Sequence, residues 1–268
     1  MRRRGATGGA GAEDARPAVG VGDSIGSDDS VGCVSDQSVD LNADLGEEVT
    51  DDAGLLEVVT SANVACGYHA GTRQTMRAVC AEAARHGVSI GAQVSYADRA
   101  NFGRVALELT ADVLMAQIAD QVGTLNEIAL SEGVIVRYLK PHGALYHRVI
   151  DDEEQAAAVL SGAPTLPVLG FPGSAILRLA AAAGRPVFRE AFADRAYTKS
   201  GRLRPRTEPG SVLTHPPAIA ARAVELAAQA NAMRVDSICV HGDSPGAVAS
   251  AGAVRRALEA AGWTLRGL

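Results

Sequence analysis

The sequence predicts a single irregular (β/α) barrel of about seven parallel strands, an α/β fold. Three observations carry this. Short apolar runs alternate with helical patterns across residues 39–268, which implies a parallel sheet. Polar, titratable groups stand just past several of those runs, as they do at the C-terminal face of a barrel. A stretch of this length, without a Pro- or Gly-rich linker, suits one large domain.

Residues 1–38 stand apart. Gly, Ala, Ser and Asp follow a basic start at Arg2-Arg3-Arg4, and no apolar segment completes a signal peptide. They are expected to be a disordered tail or to precede the true start.

Residues 39–42 read as the first strand, 51–60 as a short helix and 61–66 as the second strand. Thr72 is placed to cap a helix. Met76, Val79, Cys80 and Ala83 then recur at i, i+3, i+4 and i+7, and Gly87 ends the run. Residues 88–92 are the third strand. The polar loop 95–104 follows, in a position that often carries substrate contacts. Residues 110–132 spell a long helix with Leu114, Ile118, Leu125 and Ile128 inward.

The apolar run 134–139 is the fourth strand, and it leads into Lys140. Helices at 151–160 and 174–183 flank a strand at 166–170. The sixth strand is 186–192. An excursion over 196–206, a helix at 216–232 and a strand at 237–240 follow. Ser244 as N-cap, with Pro245 at the first helical position, is expected to open the last helix.

Composition narrows the function. Hydrophobic residues are 47% and aromatics 4%, so the core is built from Ala, Val, Leu and Ile. A net charge of −6 disfavours a nucleic-acid footprint. No apolar run reaches the length of a membrane span. Cys33, Cys66, Cys80 and Cys239 lack paired C-x-x-C spacing, so a reducing cytoplasm is the expected setting.

Asp40, Asn42 and Asp44 share one strand face because the strand period is two. Burying three polar groups there is costly unless the face lines a site. Asp44 suits a general base or a metal ligand; alternatively, Asp44 and Glu47 cap the next helix. His69, in Gly-Tyr-His-Ala-Gly, suits a metal ligand or proton shuttle. Asp44 and His69 are thus the metal candidates. Lys140 and His142 form the strongest pair. Lys140 suits a carboxylate or phosphate, or an ion pair with Asp44 or Glu190. Glu190, Asp194 and Arg195 end the sixth strand, and Arg195 suits bidentate binding of an anion. Lys199, Arg204 and Arg206 stand ready to cover the site from the excursion. His241-Gly242-Asp243 repeats the setting of His69, with free backbone N–H groups beyond it for an anion. His86 and His215 read as structural or solvated, and His147 stays open. G-x-x-x-x-G-K-[ST] and G-x-G-x-x-G are both missing from the sequence, so a nucleotide would be held by scattered loops.

Five motifs in order resemble the LamB/YcsF family. They are Asp40-Leu41-Asn42-Ala43-Asp44-Leu45-Gly46-Glu47, Ser61-Ala62-Asn63-Val64-Ala65-Cys66-Gly67-Tyr68-His69-Ala70-Gly71, Lys140-Pro141-His142-Gly143-Ala144-Leu145-Tyr146, Phe192-Ala193-Asp194-Arg195-Ala196-Tyr197-Thr198 and Cys239-Val240-His241-Gly242-Asp243-Ser244-Pro245. The resemblance implies an irregular β/α barrel similar to polysaccharide deacetylases. It implies ATP-dependent opening of the lactam 5-oxo-L-proline to L-glutamate, together with 5-oxoprolinase subunits B and C. Asp44, His69, Lys140, His142 and Glu190 are then the catalytic candidates. Asn42, Asn63, Asp194, Arg195, His241 and Asp243 are the substrate- and phosphate-binding ones.

Two positions depart from the family pattern. Gln93 stands where the family carries His, and Thr72 where it carries Asp; the segment between Glu47 and Ser61 is also short. Two alternatives stay open. One is a metal-dependent amide or ester hydrolase using Asp44, His69 and His142. The other is a non-catalytic paralogue, which Gln93 favours.

Overall fold

The structure, a computed structural model, describes residues 37–49, 51–229, 234–244 and 246–268. Of the tail expected over residues 1–38, residues 1–36 lie outside the described residues, as does Pro245; Ser38 already belongs to the first strand.

Seven parallel strands close into a ring. They are β1 (Ser38–Leu45), β2 (Ser61–Ala65), β3 (Ser89–Val94), β4 (Val136–Pro141), β5 (Val168–Gly170), β6 (Val187–Phe192) and β7 (Ser237–Cys239). Each pairs with the next, and β1 pairs with both β2 and β7, so no edge of the ring is open. A short β8 (Thr264–Leu265) adds to β1 at Ser38 and Val39. The helices are α1 (Asp52–Leu56), α2 (Arg73–His86), α3 (Ala111–Ser131), α4 (Gly143–Asp151), α5 (Glu153–Gly162), α6 (Ala175–Ala182), α7 (Pro216–Ala227) and α8 (Ala247–Ala260). None is long and apolar enough to cross a membrane.

Strand alternation separates two interiors. Leu41, Ala43 and Leu45 of β1 join the apolar core shared with helix residues such as Leu55, Met76 and Val79. Asp40, Asn42 and Asp44 point the other way, into the ring. At its base, Asp40 accepts from Thr60, Ser61 and Ser237. One layer up, Asn42 donates to Ser237 Oγ at 2.6 Å and accepts from Asn63 Nδ2 at 2.7 Å. Tyr138 donates to Asn63 Oδ1 at 2.7 Å. Its ring lies on Gly91, where any Cβ would fall 2.2 Å from Tyr138 Cε2. The β3–β4 register shifts at this point.

Several boundaries differ from the sequence expectations. β1 runs on to Leu45 and β4 to Pro141, so Asp44 and Lys140 sit within the ladder rather than beyond it. The helix expected over 51–60 is only α1. α4 has no counterpart in the sequence reading, which passes from the fourth strand to the helix at 151–160. Ser244 is not the cap of the last helix: α8 starts at Ala247 behind Gly246, whose φ is 78°. Thr72 does cap α2, in a reciprocal box with Thr75.

Candidate active site

Strand register brings the polar residues to one height. Asp44 lies beside Asn63 in β2, and Gln93 lies between Ala65 and Lys140 in its neighbours. Lys140 Nζ reaches across the ring to Asp44 Oδ1 at 3.0 Å and Glu190 Oε1 at 2.7 Å, with Asn42 Oδ1 at 3.3 Å. All four side chains are buried. Burial alone would push the Asp44 carboxyl up, but the charge of Lys140 holds it well below the usual carboxylate range. Burial likewise disfavours the Lys140 ammonium, and Asp44, Cys239 and Glu190 more than reverse this. Lys140 is therefore a fixed cation and Asp44 a fixed anion.

Glu47, just past β1, belongs to a second group. Its Oε1 lies 3.6 Å from His69 Nε2 and 3.6 Å from His142 Nδ1, and accepts from Gln93 Nε2 at 2.9 Å. One ligand atom from each of Glu47, His69 and His142 falls within 4.8 Å of the others. Asp44, a metal candidate from the sequence, stands aside: its Oδ2 is 3.9 Å from His142 Nδ1, and its Oδ1 is engaged by Lys140. The two imidazoles stack, with centroids 4.0 Å apart. Phe102 meets both rings edge-on. Phe102 takes a φ of 58°, uncommon for a bulky residue. Beside it, Gly103 admits the loop closely: a Cβ there would fall 2.3 Å from Ser95 Oγ. Neither ring nitrogen of the buried His69 has a hydrogen-bond partner among the described residues. Burial raises the Glu47 carboxyl and lowers the His142 imidazole well below its ordinary value.

The third group lines the far wall. His241 Nδ1 lies 2.9 Å from Asp194 Oδ1, and its backbone N–H donates to Oδ2 at 3.1 Å. This makes Nδ1 the protonated nitrogen and leaves Nε2 as the free acceptor. Phe192 stacks on the ring. Burial tends to raise the Asp194 carboxyl, and His241 brings it below its ordinary value. Arg195 donates to the carbonyls of Ser211 and Arg204, which stiffens the excursion. Asp243 pairs with Arg104 and, at 3.5 Å, with Arg206.

The groups meet in a cavity of about 340 Å³, lined by Asp44, Glu47, Lys140, His142, His241 and the buried Arg195, with the more exposed Arg104 and Arg206 at its rim. His69 lies behind His142, outside this lining. Asn42 and Asn63 lie beneath it and tie β1 to β2. His147 also lines the cavity, and burial beside Arg195 and Arg206 lowers its pKa. His86 pairs with Glu82 at the protein surface. Lys199 is not among the lining residues.

Sequence reasoning gave Glu47, whose alternative reading was a helix cap, no named role in the site, and missed Arg104, Tyr138 and Tyr146. Only the polar loop 95–104 gave a signal for Arg104. Tyr146, one turn into α4, lines the cavity; burial and the charge of Glu190 push its phenol up.

The fold and site define a closed parallel β/α barrel whose C-terminal mouth carries buried ion pairs and imidazoles. The family model described as LamB/YcsF matches residues 39–268, and the chain belongs to that family. A relative from Streptomyces avermitilis, named as the A subunit of 5-oxoprolinase, is 53% identical, covering 84% of this chain and 97% of that protein. One of the same name from Mycobacterium avium is 48% identical, covering 85% and 98%. Among solved structures, a lactam utilization protein from Thermus thermophilus matches with a TM-score of 0.80 at 36% identity, covering 86% of this chain and all of that one.

Proposed function

We propose that the chain is the A subunit of a 5-oxoprolinase, which opens 5-oxo-L-proline to L-glutamate with ATP and with subunits B and C. The observation that carries this is the 53% identity to a protein of that name, over 97% of that protein's length. The three described cysteines are free, in keeping with a reducing cytoplasm.

The site's chemistry suits the reaction. A lactam carbonyl is a poor electrophile, and ATP supplies a phosphoryl group that turns its oxygen into a leaving group. Arg206 and Arg104 would hold phosphate or carboxylate charge at the rim, and the buried Arg195, two of whose nitrogens serve the Ser211 and Arg204 carbonyls, would add its charge from the wall. Lys140 would oppose negative charge developing at the cavity floor. Glu47, its pKa raised, suits a proton carrier better than Asp44, whose charge is fixed. His241, turned by Asp194, offers Nε2 as a second acceptor.

A second reading, a metal-dependent amide or ester hydrolase, draws on the Glu47–His69–His142 cluster and on the unpartnered nitrogens of His69. The cluster as arranged does not fit a cation, because Gln93 donates to two of the three ligand groups. No step is therefore routed through a metal.

The test is glutamate release from 5-oxoproline by this chain with B and C subunits, with and without ATP, for the wild type, Lys140→Ala and Gln93→His. The expected result is ATP-dependent release that Lys140→Ala abolishes without unfolding. ATP-independent release that a chelator stops would favour the hydrolase. A silent wild type rescued by Gln93→His would mark an inactive paralogue.

A further inference from the structure

Gln93 ends β3 between Glu47, which follows β1, and His142, which follows β4. Its amide nitrogen lies 2.9 Å from Glu47 Oε1 and 2.8 Å from His142 Nδ1. One NH2 group thus has two protons and two acceptors in reach. The Phe102 carbonyl oxygen, 3.2 Å from His142 Nε2, can only accept, so the neutral ring keeps its lone pair on Nδ1; turning the amide over would set its oxygen against that lone pair and the Glu47 carboxylate. His142 Nδ1 is then an acceptor, and Nε2 carries the proton.

A divalent cation at this cluster would need a lone pair from each of Glu47, His69 and His142. Gln93 already occupies lone pairs of the first and third. Its amide nitrogen has none to offer in exchange.

We propose that Gln93 is a positioning residue that closes the Glu47–His69–His142 cluster to divalent cations and locks His142 as the Nε2–H tautomer. The cluster then works as a hydrogen-bonded unit. This goes beyond the lactam reading and holds whatever the substrate is.

The experiment uses the full chain and needs no turnover. Co2+ is titrated into wild type, Gln93→Ala and Gln93→Glu, and the visible absorption of His-coordinated Co2+ is read. His69→Ala in each background removes signal from the other histidines. Gln93→Glu keeps the shape but replaces a donor by an acceptor. Histidine side-chain 15N–1H correlation spectra, assigned with His142→Ala, report the tautomer. The expected result is a His69-dependent Co2+ band in both Gln93 variants, with binding at least about tenfold tighter than in wild type. In wild type, His142 shows an unprotonated Nδ1 and a protonated Nε2. Wild-type Co2+ binding that needs His69 and is as tight as in the variants would overturn the proposal. So would three proteins equally lacking the band, or a His142 protonated on Nδ1. If Gln93→Ala does not fold, Gln93→Glu and the wild-type spectra decide it.

Discussion

Lys140 Nζ stands 3.0 Å from Asp44 Oδ1, and both side chains are almost wholly withdrawn from solvent. Each ion is tolerated there because of the other. Burial works against both charges, and the pairing reverses it for both. Glu190, 2.7 Å away, makes the cation the centre of a triad.

Removing that centre should be expensive. Lys140→Met leaves two buried carboxylates facing each other and is expected to cost about 3–5 kcal/mol at neutral pH. The sign of the pH dependence follows from Asp44. Its folded pKa lies below its ordinary 3.8, so its stabilisation is full above 3.8, starts to fade below it, and is lost as the pH falls on through the folded value. Urea unfolding should therefore show a larger gap between wild type and variant at pH 7 than at pH 3. An equal gap at both would contradict the pairing.

Asp40 has the opposite sign. Burial pushes its carboxyl from 3.8 up to about 6, despite donors from Ser237, Ser61 and Thr60. The folded state keeps this proton after the unfolded chain has lost it, so stability falls as the pH rises from 3.8 to 6. Asp40→Asn should remove that slope. Relative to wild type, the variant should gain up to about 3 kcal/mol between pH 3.5 and 7. Parallel stability curves would refute it.

Gly91→Ala should strain the ring interior. Its Cβ would overlap the Tyr138 ring, so the ring must move and its bond to Asn63 with it. A loss of about 1–3 kcal/mol is expected. Combining Gly91→Ala with Tyr138→Ala should cost less than the sum of the two, since the clash disappears with the ring. Strict additivity in a double-mutant cycle would show that the two do not touch.

Two variants of the buried far wall should separate binding from chemistry. Asp194→Asn frees His241 to take the other tautomer, so kcat is expected to fall about 100-fold while KM holds. Arg195→Ala should chiefly raise KM for an anionic substrate. Steady-state kinetics with the B and C subunits present read both, and the reverse pattern would exchange the assigned roles.

Much of this was open to a reader of the sequence. Two-residue alternation alone puts Asp40, Asn42 and Asp44 on one face, and Lys140 at a strand end beside a proline and an imidazole marks a site. Contacts that depend on ring closure are harder to see. The Lys140 pairing is an exception: Asp44 is 96 positions away, yet Asp44 and Glu190 are the two carboxylates the sequence reading names for it, because all three stand at strand ends. Glu47 lies beyond the strand, where the period no longer says which way a side chain points. Tyr138 reads as one more apolar strand residue, and its place over Gly91 depends on a register shift that only pairing reveals. β8 has two residues, too few for any period.

β8 gives the barrel one further property. Thr264 N–H donates to the carbonyl of Gln37 at 2.8 Å, so the described chain comes back to where it started. The last residue then bonds Ser61 and Ser89 beneath the ring. A hoop joined in this way has no inherent first strand. A short peptide bridging residues 37 and 268 should let the chain be reopened at an exposed helix–strand turn such as Gly184, giving a permuted protein that refolds with the same mouth.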